Sequence, residues 1–468
     1  PRLRAARHQD GIMGVSSYLA TNFSTHVVRL GVTGLAGSGK TVFITSLVKG
    51  LLDEGGLLEE DPNAGFSIET VFLQPHPDDT VPRFGYEENL DKMIGTSQGW
   101  PDNTCRMSKL RLSLRIRRKG LKALSRPSVI HLDITDFPGE WLMDLALLDK
   151  DFMTWSDGVL AQIQQQSESE SFLKQLSKFD SSEEFKEAHA KCLAEEYTAY
   201  LKAVNKAGYS NCLPGRFIMP GDLENSPVLT FSPLHLSESA KKGSLGHEFG
   251  RRYEQYKRKV VKPFFKDHFA KIDRQIVLVD VLGAITAGPR IFEDQRNGLA
   301  GFLNAFQLGR NTRLDYLLGR RRVEKLVIAA TKADHVLDSQ HGQLDSIVSE
   351  MLRDTKDRAK FARARVDVMS IAALRTTEQI QIKHKGKTRD VLRGKQKVTG
   401  KIIKEFPGTL PSNPGKILSP ARNGDVDWQD LEFLASEFVP SSFSQKSRGT
   451  LRHIRLDKAI KALIGDLL

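Results

Sequence analysis

Residues 34–41 read Gly-Leu-Ala-Gly-Ser-Gly-Lys-Thr, between a short apolar strand at residues 26–33 and an amphipathic run at residues 42–48. A Gly-x4-Gly-Lys-Thr loop in that setting binds the phosphates of a nucleoside triphosphate, and it commits the chain to a strand, loop and helix unit of an α/β sheet. Gly34, Gly37 and Gly39 let the backbone turn tightly and aim its N–H groups inward. The helix that starts near Lys40 adds its positive end. Lys40 reaches the β- and γ-phosphates, and the Thr41 hydroxyl takes a place on magnesium. The expected cradle also includes Leu35, Ala36, Ser38 and Val42.

The rest of the chain supports a mainly parallel sheet. Residues 128–134, 275–282, 325–330 and the weaker 365–370 are apolar runs of buried-strand length, separated by helical patterns. Residues 109–117 alternate strictly, with Leu110, Leu112, Leu114 and Ile116 on one face, which predicts a half-exposed strand toward a sheet edge. Residues 53–103 show little periodicity and predict a long, partly irregular excursion. The interval between Ile134 and Gln275 is too long for a structureless loop. Phe185, Ala188, Cys192, Ala199 and Ala203 recur there at helical spacing, as do Tyr253, Tyr256, Val260 and Phe264, so the interval predicts a largely helical insert. Residues 407–420 are proline-rich and predict an extended path. Residues 451–464 have the period of a terminal amphipathic helix, docked on the core or lying in a membrane interface.

Composition limits the partners. The formal charge is +12, with a concentration of lysine and arginine at residues 382–404. This predicts a solvated basic hairpin or loop, or a contact surface for nucleic acid or an anionic membrane. Few aromatics interleave there, so a base-stacking platform is not evident. The three cysteines, Cys105, Cys192 and Cys212, are too far apart for a disulfide framework or a metal cluster. No run approaches the roughly 18 apolar residues of a membrane span, so a cytoplasmic protein is expected.

Two further motifs narrow the nucleotide. Asp133-Ile-Thr-Asp-Phe-Pro-Gly-Glu140 closes a strand, where Asp136 can accept from a magnesium-bound water. Gly139 can turn its N–H toward a γ-phosphate. Thr331-Lys-Ala-Asp334 follows another strand. The Asp334 carboxylate can accept from the ring N–H and exocyclic amine of guanine, which adenine cannot match, while the Lys332 stem lies over the base.

These motifs, with residues 30–47, 135–142, 274–282 and 329–334, resemble the P-loop GTPase superfamily and, more narrowly, the YcjX-like family of bacterial stress-associated GTP-binding proteins. The resemblance implies a Ras-like P-loop core with a large helical insertion and a small C-terminal extension. It implies GTP and GDP with Mg2+ as ligands, a nucleotide-dependent conformational cycle, and an unidentified protein effector or activator. The core would occupy residues 1–140 and 273–377, the helical domain residues 141–272, and the extension residues 378–468. Thr331 stands where the superfamily has asparagine, and its hydroxyl keeps one hydrogen bond. Ser370, Ile371 and Ala372 match the loop whose backbone N–H groups contact the guanine oxygen. The first-switch threonine, a magnesium ligand that closes over the γ-phosphate, maps best to Thr104, with Thr96 and Thr80 as alternatives. Glu140 replaces the usual water-positioning glutamine. A carboxylate there can accept from the attacking water but repels the phosphate, so slow hydrolysis is expected, with help from a partner or from an arginine of the helical insert. The competing readings are a nucleotide-stabilised interaction module with little hydrolysis and an ATP-dependent P-loop enzyme.

Overall fold

The computed structural model describes residues 24–53, 57–58, 66–96, 98–102, 104, 106–118, 128–164, 166–236, 241–305, 323–353, 365–384, 386–428, 431–434, 436–445 and 450–468. Cys105 and Lys385 lie outside them. The core is a seven-stranded sheet of β1 (Ser24–Gly34), β2 (Phe66–Gln74), β3 (Ser108–Arg118), β4 (Ser128–Asp136), β5 (Arg274–Val279), β6 (Lys325–Ala330) and β7 (Arg365–Ser370), in the order β2-β3-β4-β1-β5-β6-β7. Strands β4, β1, β5, β6 and β7 run parallel, and β3 is antiparallel to both its neighbours. This is the mainly parallel α/β sheet that the sequence predicts.

Alternation divides each central strand between two cores. Ile276 and Leu278 of β5 face the layer made by α1 (Lys40–Leu52) and the terminal helix, whereas Val277 and Val279 face the opposite layer. Both faces are therefore covered, which is why β5 and β6 are buried at every residue.

Between β4 and β5 the described chain is largely helical, including α3 (Gly139–Met143), α4 (Phe152–Ile163), α5 (Glu170–Leu176), α6 (Glu187–Lys206), α7 (Gly215–Ile218), α8 (Leu245–Tyr256) and α9 (Lys262–Asp267), numbered after α2 (Tyr86–Ile94). Its aromatic side chains join the sheet residues Val277 and Ile328 in one continuous cluster, centred on Trp155 stacked on Tyr253 at 5.0 Å. Helix α6 lies where the periodicity placed it but buries another face. Leu193, Tyr197, Tyr200, Leu201 and Val204 point inward, while Ala188, Ala199 and Ala203 are exposed. Small alanines lose little by facing water, so the large side chains set the buried face.

Two expectations are corrected and one is filled in. The partly irregular excursion at residues 53–103 contains β2 and α2. The register shift between Ile68 and Thr70 is a bulge that brings Ile68, Val71 and Leu73 onto one core face, which hides the strand from a period-two search. The proline-rich path becomes helical from Gly415, where a helix (Gly415–Asn423) starts after Pro414 and buries Ile417, Leu418 and Ala421. A proline next to a helix start removes only a donor that would be unpaired there anyway. The last helix (Leu456–Ile464) begins later than its periodicity. Ile454 is instead bridged to Ala372, and Leu456, Ala459, Ile460, Leu463 and Ile464 pack on the sheet.

The basic region folds as a second, antiparallel sheet. Strands β8 (Thr377–His384) and β10 (Ile402–Glu405) flank β9 (Lys387–Gln396), and β11 (Phe438–Val439) also pairs with β9.

Candidate nucleotide site

A single cleft is lined by residues 36–43 at one end and by Thr331, Lys332, Asp334, Ala373 and Leu374 at the other. The phosphate loop is held open by its own backbone. Gly37 (φ 73°) and Gly39 (φ 86°) are left-handed, and a Cβ on Gly34 would lie 2.4 Å from Leu278 O. Lys40 leads α1 and turns back over the loop, where its Nζ donates to Gly34 O at 2.9 Å and Leu35 O at 3.2 Å. Gly34 and Leu35 therefore hold the lysine and do not line the cleft. Burial pushes the Lys40 ammonium below its ordinary range, and Asp136 and Glu140 partly offset this.

Beside it, Thr104 donates to Asp136 Oδ2 at 2.9 Å and lies 3.1 Å from the Thr41 hydroxyl. Thr80 is away from this cluster, bonded to Asp78 in an exposed turn, and Thr96 is exposed after α2. The other Asp136 oxygen, Oδ1, is buried without a partner. Burial raises the Asp136 carboxyl to about 6 against the pull of Lys40 and Thr104. Two hydroxyls and one unsatisfied carboxylate oxygen suit a hard cation that brings further oxygen ligands with it. No group of three or more His, Cys, Asp or Glu among the described residues could hold a metal, so those extra ligands would come from phosphate and water.

Helix α3 begins at Gly139, whose Cα is packed against the phosphate loop; a Cβ there would meet Gly34 O at 2.3 Å. Glu140 lines the cleft, buried, with Oε1 unpartnered. The helical region backs this helix directly. Gly215 N donates to Asp144 at 2.7 Å, and a Cβ on Gly215 would strike Glu140 O. The Arg216 guanidinium lies 3.2 Å from the Trp141 ring centroid and pairs with Asp222, while Trp141 Nε1 donates to Met219 O, another cleft residue.

At the other end Asp334 is buried, and its Oδ2 accepts from both Thr376 N and Thr376 Oγ1 at 2.7 Å. Lys332, left-handed at φ 60°, binds its ammonium to Asp280, which leaves its stem along the cleft. The Thr331 hydroxyl turns to Val279 O at 3.3 Å and so stays on the sheet. Ser370, Ile371 and Ala372 differ from the expectation. Ile371 N donates to Ala330 O, Ala372 N donates to Ile454 O, and the Ser370 hydroxyl accepts from Arg455, so these groups are already spent. Ala372 still lines the cleft, together with the next residues Ala373 and Leu374, while the C-terminal segment has paired with its amide.

Other cleft residues escaped the sequence reading. Trp100 Nε1 donates to Phe438 O at 2.9 Å, and the Phe438 ring meets His335 edge-on at 5.2 Å. Lys397 and Glu437 pair at 2.7 Å on the same wall. Burial lowers the His335 imidazole below its usual range, keeping it neutral. No short-range pattern links these positions to the motifs they join.

The profile described as the YcjX-like family, DUF463, matches residues 28–468. A protein of Escherichia coli (strain K12) named Ras-like GTPase YcjX is 33% identical over 461 residues, which cover 94% of this chain and 96% of that protein. A protein of the same name from Shewanella oneidensis is 31% identical over 470 residues, 94% of each chain.

Proposed function

Since the chain belongs to the YcjX-like family, we propose that it is a guanine-nucleotide switch that hydrolyses GTP slowly with Mg2+. The supporting observation is that Lys40 with Thr41, Thr104 and Asp334 reach one cleft from three separate segments. In this reading the phosphate loop and Lys40 hold the phosphates, while Thr41, Thr104 and Asp136 hold the magnesium directly or through water. A magnesium ion held by these residues would offset the negative charge of the phosphates. Asp334, fixed by Thr376, reads the guanine edge. Gly139 and Glu140 lie where a γ-phosphate would be sensed, and the contact of Gly215 with Glu140 carries that state into the helical region.

The buried, unpartnered Glu140 favours slow turnover, because a second negative charge beside a phosphate opposes its binding. It also gives weight to a nucleotide-stabilised interaction module. Parallel titrations with GTP, GDP and ATP, with multiple-turnover phosphate release, separate the readings. Guanine nucleotides are expected to bind at least about tenfold tighter than ATP, with slow phosphate release. Equal ATP binding removes the guanine reading, and absent release leaves the interaction module. Unchanged turnover in both Glu140→Gln and Glu140→Ala would remove Glu140 from the chemistry.

A further inference from the structure

The second sheet carries a surface that nucleotide binding does not use. Strand β10 pairs with β9 and ends the strand order, so its outer edge is open. Eight large apolar side chains are exposed among the described residues, and three fall on this strand and its flanks: Val398 (87%), Ile402 (55%) and Phe406 (46%). Ile402, Lys404 and Phe406 occupy alternate positions and share one face. Leu434, also exposed, donates its amide to Pro407 O at 3.0 Å and extends the strip. Short strands and lysines normally blunt an open edge against added strands, and β10 is short and carries Lys404, so a strand that adds here must bring carboxylates as well as cover for the apolar side chains.

On the face that carries Ile402 and Lys404, the opposed side chains of β9 are basic, and Glu405 lies on the other face. Lys404 stands opposite Arg393 and Ile402 opposite Lys395, and like charges at opposed positions repel. Arg393 has Glu378 at 3.0 Å, whereas Lys395, Lys401 and Lys404 have no carboxylate partner among the described residues. An acidic ligand would relieve that repulsion, and only a peptide backbone would also satisfy the open row of N–H and C=O groups.

We propose that β10 is a docking strand for an extended acidic segment of a partner protein. The segment's backbone adds to the sheet, its apolar side chains cover Ile402 and Phe406, and its carboxylates meet Lys395, Lys401 and Lys404. The same turn reaches the cleft. Lys397 N donates to Glu437 O at 2.8 Å, both residues line the nucleotide wall, and the next residue, Phe438, holds Trp100. Val398, next to Lys397, points outward. Partner binding and nucleotide binding therefore affect each other. That coupling rests on the proposed nucleotide function; the docking strand does not.

The test titrates the whole chain, with and without GDP, against a fluorescein-labelled peptide that repeats Val-Ser-Glu-Ser, so that one face reads Val, Glu, Val and matches Ile402, Lys404 and Phe406. Controls are a proline-interrupted peptide of the same charge, the same peptide with Lys in place of Glu, and phosphatidylserine vesicles, with hydrogen exchange of the β10 amides read in parallel. The acidic peptide is expected to bind and to protect residues 402–405, with the proline peptide at least about tenfold weaker. The Lys401→Glu/Lys404→Glu protein is expected to lose about tenfold in peptide affinity with unchanged GDP affinity. Absent binding, equal binding of the proline or basic peptide, an unaffected double variant, or vesicle binding without β10 protection by the peptide would overturn the docking strand. Peptide affinity indifferent to GDP in a chain shown to bind GDP would overturn the coupling alone.

Discussion

The hydroxyl oxygens of Thr41 and Thr104 lie 3.1 Å apart although 63 residues of chain separate them. Thr41 is fixed by α1, whereas Thr104 sits in the segment before β3 and reaches the same point through its bond to Asp136. Thr104 can therefore leave without disturbing the phosphate loop, and Thr41 cannot. Thr104→Ala is expected to weaken binding of a non-hydrolysable GTP analogue about tenfold while GDP stays within about twofold, and Thr104→Ser restores the analogue. Thr41→Ala weakens both in the presence of Mg2+. Fluorescent-nucleotide titrations with and without EDTA read the difference, and equal losses of analogue and GDP in Thr104→Ala would place Thr104 outside the triphosphate site.

Asp144 gives the fold a pH dependence. Burial pushes its carboxyl up to about 6, against the hydrogen bonds from Tyr256 and Gly215. The unfolded carboxyl ionises near the ordinary value, about 3.9, so the folded state gives up its proton last. Stability from this group is complete below the unfolded value and is lost as pH rises through about 6. The loss is at most about 3 kcal/mol, and Asp136, raised to about 6 for the same reason, adds to the same window. Groups held below their ordinary values, among them His335 and Glu437, act in the opposite direction, so the readout is the stability of the nucleotide-free protein in urea minus that of Asp144→Asn, which retains one acceptor oxygen. That difference is expected to fall between about pH 4 and pH 7. A difference that rises over that range would refute the assignment.

Thr376 fixes the carboxylate of Asp334, the base reader of the proposed function. Both of its donors bind one carboxylate oxygen, Oδ2, and Thr377 binds the Asp334 carbonyl, so the proposed function assigns the other oxygen to the base. Thr376→Val removes the hydroxyl donor and is expected to cost about fivefold in GTP affinity, with a smaller effect on ATP. Asp334→Asn replaces an acceptor with a donor and is expected to lose GTP about a hundredfold while improving xanthosine triphosphate, whose carbonyl stands where guanine has its amine. Competition binding checks both, and an Asp334→Asn protein with intact GTP preference would end the base-reading role.

The parts of the site that were legible in the sequence are those where chemistry and strand ends adjoin along the chain. Lys40 and Thr41 follow β1, Asp136 ends β4 and Asp334 follows β6, so a short motif behind an apolar run was enough. Trp100 and Phe438 meet across 338 residues, and no local pattern encodes that pairing. For the same reason the loop at residues 370–372 gave no sign of its bond to Ile454, which arrives from the C-terminal segment to take the Ala372 amide. In the fold, β5 and β6 declared themselves by unbroken burial, whereas the bulge in β2 and the alanines on the outer face of α6 each displaced the pattern that periodicity follows.

Gly139 is constrained by space and Gly37 by conformation, and the two should fail differently. A Cβ on Gly139 would lie 2.3 Å from Gly34 O and 3.0 Å from Leu35 Cα, both backbone atoms of the phosphate loop, so neither can swing aside. A Cβ on Gly37 would meet nothing within 4 Å, but its φ of 73° is left-handed. Gly37→Ala thus costs only the left-handed penalty, about 1–2 kcal/mol, spread over binding of every nucleotide. Gly139→Ala must push α3 off the loop or deform the cradle, and α3 is pressed from behind by Gly215 on Glu140. The expected result is loss of GTP-analogue binding by more than about tenfold, with altered proteolysis of residues 139–147. An analogue affinity in Gly139→Ala equal to that of Gly37→Ala would mean that α3 moves away freely, and the contact between Gly139 and Gly34 would then carry no nucleotide signal.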